Sequence, residues 1–208
     1  MSDPSTWQHV FEDGEGPVLL ALHGTGGNER DILPLAHAVD PMTAVLAPRG
    51  QVSEGGALRW FRRLAEGVFD VDDVVVRAGD LADFVEWAVE RYALQGRRIV
   101  AVGFSNGANV GLATAALYPQ VVPEVIAFSG MYPFAGRPLT DRLDGSRMLL
   151  ANGSHDPMAP ATSVTRLTTQ LREQGAQVTR HKRAGGHGID AEDLDAARRW
   201  LGLASSRG

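Results

Sequence analysis

Apolar residues in this chain come in short blocks, and the blocks switch period. Pro17-Val18-Leu19-Leu20-Ala21-Leu22-His23 is a continuous apolar run of strand length. That pattern predicts a strand buried on both faces. Residues 43–48, 98–102, 124–130 and 147–153 repeat it, and residues 177–183 alternate like a last strand. Between these blocks the period becomes helical. Val76, Leu81, Phe84, Val85, Ala88, Val89 and Tyr92 mark a long amphipathic helix over residues 72–92, closed before Gly96. Shorter helices are expected over 31–39, 106–117, 161–173 and 191–203. Pro34 sits in the first turn of the first, with Asn28 or Asp31 as its cap. The polar segment 1–16 offers one short edge strand near residues 8–12. Strands alternating with helices predict an α/β fold: a mainly parallel sheet with helices on both faces, in a single domain over residues 1–208. Residues 49–71 carry no clear period and are expected to form a lid or active-site loop. Residues 131–145, rich in Pro and Gly, would supply a second wall.

In such a sheet the active site lies beyond the carboxyl ends of the strands, so the strand-exit loops hold the candidate chemistry. One of them is Gly103-Phe104-Ser105-Asn106-Gly107, between an apolar strand and an Ala-rich helix. A Gly-x-Ser-x-Gly turn in that setting is a nucleophile elbow. It predicts Ser105 in a strained, positive-φ conformation, with glycines where side chains would collide as strand and helix approach. The motif alone is short and arises by chance in a chain with 24 glycines, so its partners decide.

A serine hydroxyl needs a base, and the base an orienting acid. His187 lies in Ala184-Gly185-Gly186-His187-Gly188, after the last strand, and Asp156 in the exit loop of the strand before. The order Ser105, Asp156, His187 is the order used by one fold family, with the serine first. His155 neighbours the acid and is expected to face solvent. Asp190 and Asp193 stand where they would cap the last helix. His181 and His37 read as surface residues. An oxyanion needs two donors. The Asn106 amide is one. The other would come from His23-Gly24-Thr25-Gly26-Gly27, with Thr25 the candidate and Gly24 and Gly26 the alternatives. His23 is expected to hold that loop rather than act as a base.

Composition narrows the classes. The chain has no cysteine, which removes disulfides, thiolate metal sites and a cysteine nucleophile. A formal net charge of −5 argues against general nucleic-acid binding. No apolar run approaches membrane-spanning length, and the first residues lack the n- and h-regions of a signal peptide; a cytoplasmic location is the expectation. No metal-binding motif and no phosphate or dinucleotide fingerprint is present, so neither metal nor cofactor is expected.

These residues together resemble the phospholipase/carboxylesterase family of α/β-hydrolases, akin to acyl-protein thioesterases and dienelactone hydrolase-like proteins. The resemblance rests on His23-Gly24-Thr25-Gly26-Gly27, Gly103-Phe104-Ser105-Asn106-Gly107, Asp156-Pro157 and Gly186-His187, and spans about residues 17–203. It implies a compact α/β-hydrolase fold with at most a small lid. The activity implied is a cofactor-independent serine carboxylesterase acting on small to medium esters, with a homodimer as the expected assembly. Thioesters, lactones and aromatic esters use the same residues. Non-catalytic ligand-binding relatives usually lose a triad member, and this chain keeps all three. Two departures stand out. Asn106 replaces a common glutamine, and relatives with asparagine there are linked to aromatic or quinone metabolism. Trp60-Phe61-Arg62 replaces a common Trp-Phe-Asp. Trp60, Arg62 and Met158 are therefore the candidate substrate-binding residues. Arg59, Arg62 and Arg63 are either a solvated cluster or the source of one arginine for a substrate carboxylate.

Overall fold

The computed structural model describes residues 3–65, 67–140 and 142–202. The apolar blocks form one seven-stranded sheet. β1 (His9–Glu12) and β2 (Glu15–Leu22) come first, and α1 (Leu33–Val39) leads to β3 (Thr43–Pro48). Next are two small ribbons, β4 (Val52–Glu54) with β5 (Ala57–Arg59) and β6 (Arg63–Ala65) with β7 (Val68–Phe69). α2 (Val71–Arg91) returns to the sheet at β8 (Ile99–Phe104), followed by α3 (Asn106–Leu117) and β9 (Glu124–Phe128). β10 (Arg147–Gly153), α4 (Ala161–Glu173), β11 (Gln177–Arg183) and α5 (Ala191–Leu201) complete the fold. The strand order is β1-β3-β2-β8-β9-β10-β11, all parallel except β1, which runs antiparallel to β3.

Period-two alternation splits the core. Val18, Leu20 and Leu22 face one cluster with residues of α2, α3 and α4, whereas Leu19 and Ala21 face another with α1 and α5. Both faces of β2 are thus buried, which is why its sequence shows no polar alternation. α3 is buried almost all round. Its small residues let it lie close to the sheet, and Gly111 faces Leu22, Ala101 and Val125.

The strand order also fixes where a site can form. From β2 the chain steps to β3 on one side, then crosses to β8 on the other. The crevice outside β2 and β8 is a topological switch point. Register aligns the strand ends along that edge: Leu22 pairs with Gly103, Phe104 with Phe128, Phe128 with Ala151, and Gly153 with Arg183. The loops carrying Thr25, Ser105, Asp156 and His187 leave from this one edge.

Residues 49–71, expected as a lid or active-site loop, carry two short antiparallel ribbons. Strands of two or three residues are too short to leave a period in the sequence. One expectation needs correcting here. His181 is not a free surface residue. Its side chain is 24% exposed and its Nε2 lies 3.6 Å from the buried Asp193 carboxylate, because β11 presents it to the first turn of α5. The last helix ends at Leu201, and Leu203 of the expected range lies outside the described residues.

Candidate active site

Ser105 has φ 53° and ψ −115°, a conformation costing a non-glycine residue about 1–3 kcal/mol. The surroundings hold it there. Its amide donates to Phe128 O at 2.9 Å, and α3 begins at the next residue. A Cβ on Gly103 would come within 2.6 Å of the Ala108 nitrogen, and one on Gly107 would strike the Leu22 and His23 carbonyls. Both glycines of the motif are therefore demanded by close approach, and the turn aims α3's first amides at the strand ends.

The acid and base loops are built as one piece. Asp156 is 5% exposed, and its Oδ1 accepts from the Met158 and Ala159 amides at 2.8 and 3.0 Å. This turn leaves Oδ2 for His187 Nδ1, at 2.8 Å. With Nδ1 donating, the neutral imidazole keeps its Nε2 lone pair for a proton. The His187 ring lies 5.1 Å from that of Phe104, the residue before Ser105. Among the described residues the Ser105 hydroxyl makes no hydrogen bond to His187; such contacts often tighten only when substrate is bound.

Two residues that the sequence reading did not single out shape the base loop. Arg183, 7% exposed, donates to the carbonyls of Ala184, Gly186 and Gly188 at 3.2, 2.9 and 2.7 Å. Its Nε meets buried Asp193 at 2.5 Å. One guanidinium therefore gathers the carbonyls on both sides of His187. Ser129 Oγ donates to Gly188 O at 3.0 Å. The signals were a charged residue closing an otherwise ordinary strand before a glycine run, and a serine at the end of β9. Asp190 and Asp193 do cap α5, as a reciprocal capping box.

The loop after β2 is held from below. His23 Nε2 accepts from the Gly50 amide at 2.9 Å, so Nδ1 carries the proton and donates to Gly24 O at 2.8 Å. Burial pushes the His23 pKa below its ordinary value, which keeps the ring neutral for that acceptor role. In the loop, the Gly26 amide is spent on Leu58 O and the Gly27 amide on Gly24 O. Gly26 is thereby removed from the candidate oxyanion donors, and Thr25 stays. Asn106 Oδ1 accepts from the Trp60 amide at 2.8 Å, so its side chain ties the elbow to the ribbons.

A cavity of about 380 Å³ opens in front of Ser105. Thr25, Asn106, Phe69, Met131 and Met158 line it, with Arg59 and Arg63 as its charged side chains among the described residues. Two candidates do not line it. Trp60 is 2% exposed and donates its Nε1 proton to His23 O at 2.8 Å, so it braces the loop from the core. The Arg62 side chain is 60% exposed and pairs with Asp70 at 3.0 Å and Asp73 at 3.6 Å. Among the described residues no group of three or more His, Asp or Glu could hold a metal ion, and no helix is long and apolar enough to cross a membrane.

The sheet, its switch point and the elbow define an α/β-hydrolase. Residues 12–205 match the family described as Phospholipase/Carboxylesterase, and the chain belongs to that family of hydrolases. It is 39% identical over 194 residues to MhqD of Bacillus subtilis (strain 168), a chain bearing a hydrolase name, with 93% of this chain and 96% of that one covered. The Bacillus cereus carboxylesterase superposes with a TM-score of 0.90 at 38% identity, covering 95% of this chain and 94% of that one. YahD, solved with malic acid, superposes at 0.86 with 29% identity, covering 95% and 98%.

Proposed function

We propose that the protein is a serine carboxylesterase that hydrolyses small to medium carboxylic esters through an acyl-enzyme on Ser105. Ser105 Oγ attacks the ester carbonyl while His187 Nε2 takes its proton. Asp156, bonded to Nδ1, holds the imidazole and stabilises its cation. The Thr25 and Asn106 amides receive the oxyanion. His187 then protonates the departing alcohol, and water activated by the same base releases the acid. The observation that carries this reading is the strained Ser105 turn at the switch point, with the Asp156–His187 pair on the exit loops of β10 and β11 along the same sheet edge. A cavity of about 380 Å³ supports acyl groups of modest length.

The test is a panel of p-nitrophenyl esters of rising chain length, with one thioester and one lactone, on wild type and Ser105→Ala. The variant should lose on the order of 10⁴-fold or more in kcat while keeping its circular dichroism spectrum. A fluorophosphonate probe should label Ser105. Ester turnover that survives in Ser105→Ala, or labelling at another residue, would overturn the assignment.

A further inference from the structure

The cavity in front of Ser105 has a mixed polar and apolar lining, and among the described residues its charged side chains, Arg59 and Arg63, are of one sign. Arg59 is 4% exposed, and a guanidinium that deeply buried ordinarily has a carboxylate of its own. Here Nε reaches Phe61 O at 3.3 Å, and one terminal nitrogen donates to Thr25 Oγ1 at 3.1 Å. Among the described residues its one carboxylate partner is Glu54, 3.3 Å from Nε. That same carboxylate accepts from Arg63 Nε at 2.8 and 3.1 Å. Two cavity-lining guanidiniums therefore share one carboxylate. The second terminal nitrogen of Arg59 has no hydrogen bond among the described residues, and Arg59 lines the cavity. Burial, with the like charge of Arg63 adding to it, presses the Arg59 pKa below its ordinary value, and Glu54 only partly opposes this. A buried cation that shares its carboxylate with a second cation is stabilised by an anionic ligand.

We propose that Arg59, assisted by Arg63, is a carboxylate-binding subsite, and that the preferred substrates are esters bearing a carboxylate close to the scissile carbonyl. The position follows from Thr25. Arg59 holds its hydroxyl, and the amide of the same residue is assigned to the oxyanion, so the anion sits about one residue's width from the reacting carbon. Arg59 is the specificity-determining side chain and Arg63, more exposed, the lesser one. This rests on the serine-esterase reading.

The experiment measures kcat/KM on two matched pairs: p-nitrophenyl pentanoate against mono-p-nitrophenyl succinate, and phenyl acetate against 4-carboxyphenyl acetate. The first pair puts the carboxylate on the acyl side, the second on the alcohol side. Wild type should prefer the carboxylated member of one pair. Arg59→Gln should cut that ratio roughly ten- to a hundredfold, mostly through KM. Arg59→Lys, which keeps the charge and loses the fork, should cut it less, and Arg63→Gln less again. The ratio cancels any general damage to the Thr25 loop. No preference in either pair, or a ratio unmoved in Arg59→Gln and Arg59→Lys, would overturn the proposal and leave Arg59 a brace for Thr25. Calorimetric titration of Ser105→Ala with succinate tests the subsite without turnover. Binding that weakens tenfold or more in Ser105→Ala/Arg59→Gln supports it even if no ester is cleaved, and binding indifferent to Arg59 overturns it.

Discussion

The cavity has two walls held by different forces. The back wall is made of the Ser105 turn, the loop after β2 and the joined loops after β10 and β11. Its fastenings are buried: the Phe128 carbonyl on the Ser105 amide, His23 between Gly24 and Gly50, and Arg183 across three carbonyls. The outer ribbon of the roof, β6 with β7, is fastened largely by ion pairs that water reaches, whereas β4 and β5 are tied to the back wall through the buried Trp60 and Arg59. In the Arg63–Glu54 pair the side chains are 36% and 42% exposed. Exposed pairs contribute about 0–1 kcal/mol each, whereas leaving a buried charge without its partner costs about 3–5 kcal/mol. The difference teaches where the fold spends its precision. Groups assigned to bond-breaking are over-determined, and on the cavity's outer ribbon the Arg63 side chain is held, among the described residues, by an exposed pair alone.

Substitutions can break that contrast. The largest effect is expected from the back wall. Arg183→Met frees the carbonyls around His187 and strands the buried Asp193, so unfolding free energy should fall by about 3 kcal/mol or more. In whatever protein folds, kcat should drop roughly ten- to a hundredfold, with KM changed far less. Arg183→Lys should not rescue kcat, because one ammonium lacks the guanidinium's planar fork. Unchanged kcat in Arg183→Met would mean that the loop does not depend on its clamp.

A middle-sized effect concerns His23. Its folded-state pKa lies below the ordinary 6.5 because the ring is buried, so below that pH the unfolded chain binds a proton that the native state refuses. The stability from its neutral form is present above pH 6.5 and is lost as pH falls toward the folded-state value, by at most about 1.4 kcal/mol per pH unit. Urea midpoints at pH 7.5 and 5.5 should diverge more in wild type than in His23→Gln. Equal divergence would remove His23 from the buried fastenings. The smallest effect belongs to the roof. Arg62→Ala should leave the urea midpoint nearly unchanged, because its ion pairs are exposed, and leave kcat/KM on a neutral ester within about twofold. A larger loss would show that the roof is built as tightly as the back wall.

The same contrast explains what the sequence could convey. α3, α4, β3, β10 and β11 are bounded where their patterns begin and end, by Pro119, Gly175 and Pro48 among others, because the cues are local. The Ser105 turn was legible for the same reason, since its glycines report contacts with neighbouring backbone. The roof was not. Arg59, Arg62 and Arg63 look alike in a string, yet one is buried against Thr25, one points to Asp70 and one shares Glu54 with the first. Trp60 reads as a pocket wall beside these arginines, but it turns inward to His23. Arg183 was silent because its grip on the base loop is through three carbonyls, which no residue type announces.

One feature of the back wall bears on motion. The Ser154 amide donates to Arg183 O and the His155 amide to Gly185 O, both at 2.9 Å, so the pairing of β10 with β11 runs on past the sheet. Asp156 and His187 are thereby carried on a single rigid body. The pairing of the two exit loops ties the position of the base to that of its acid, so a displacement of one loop carries the other with it.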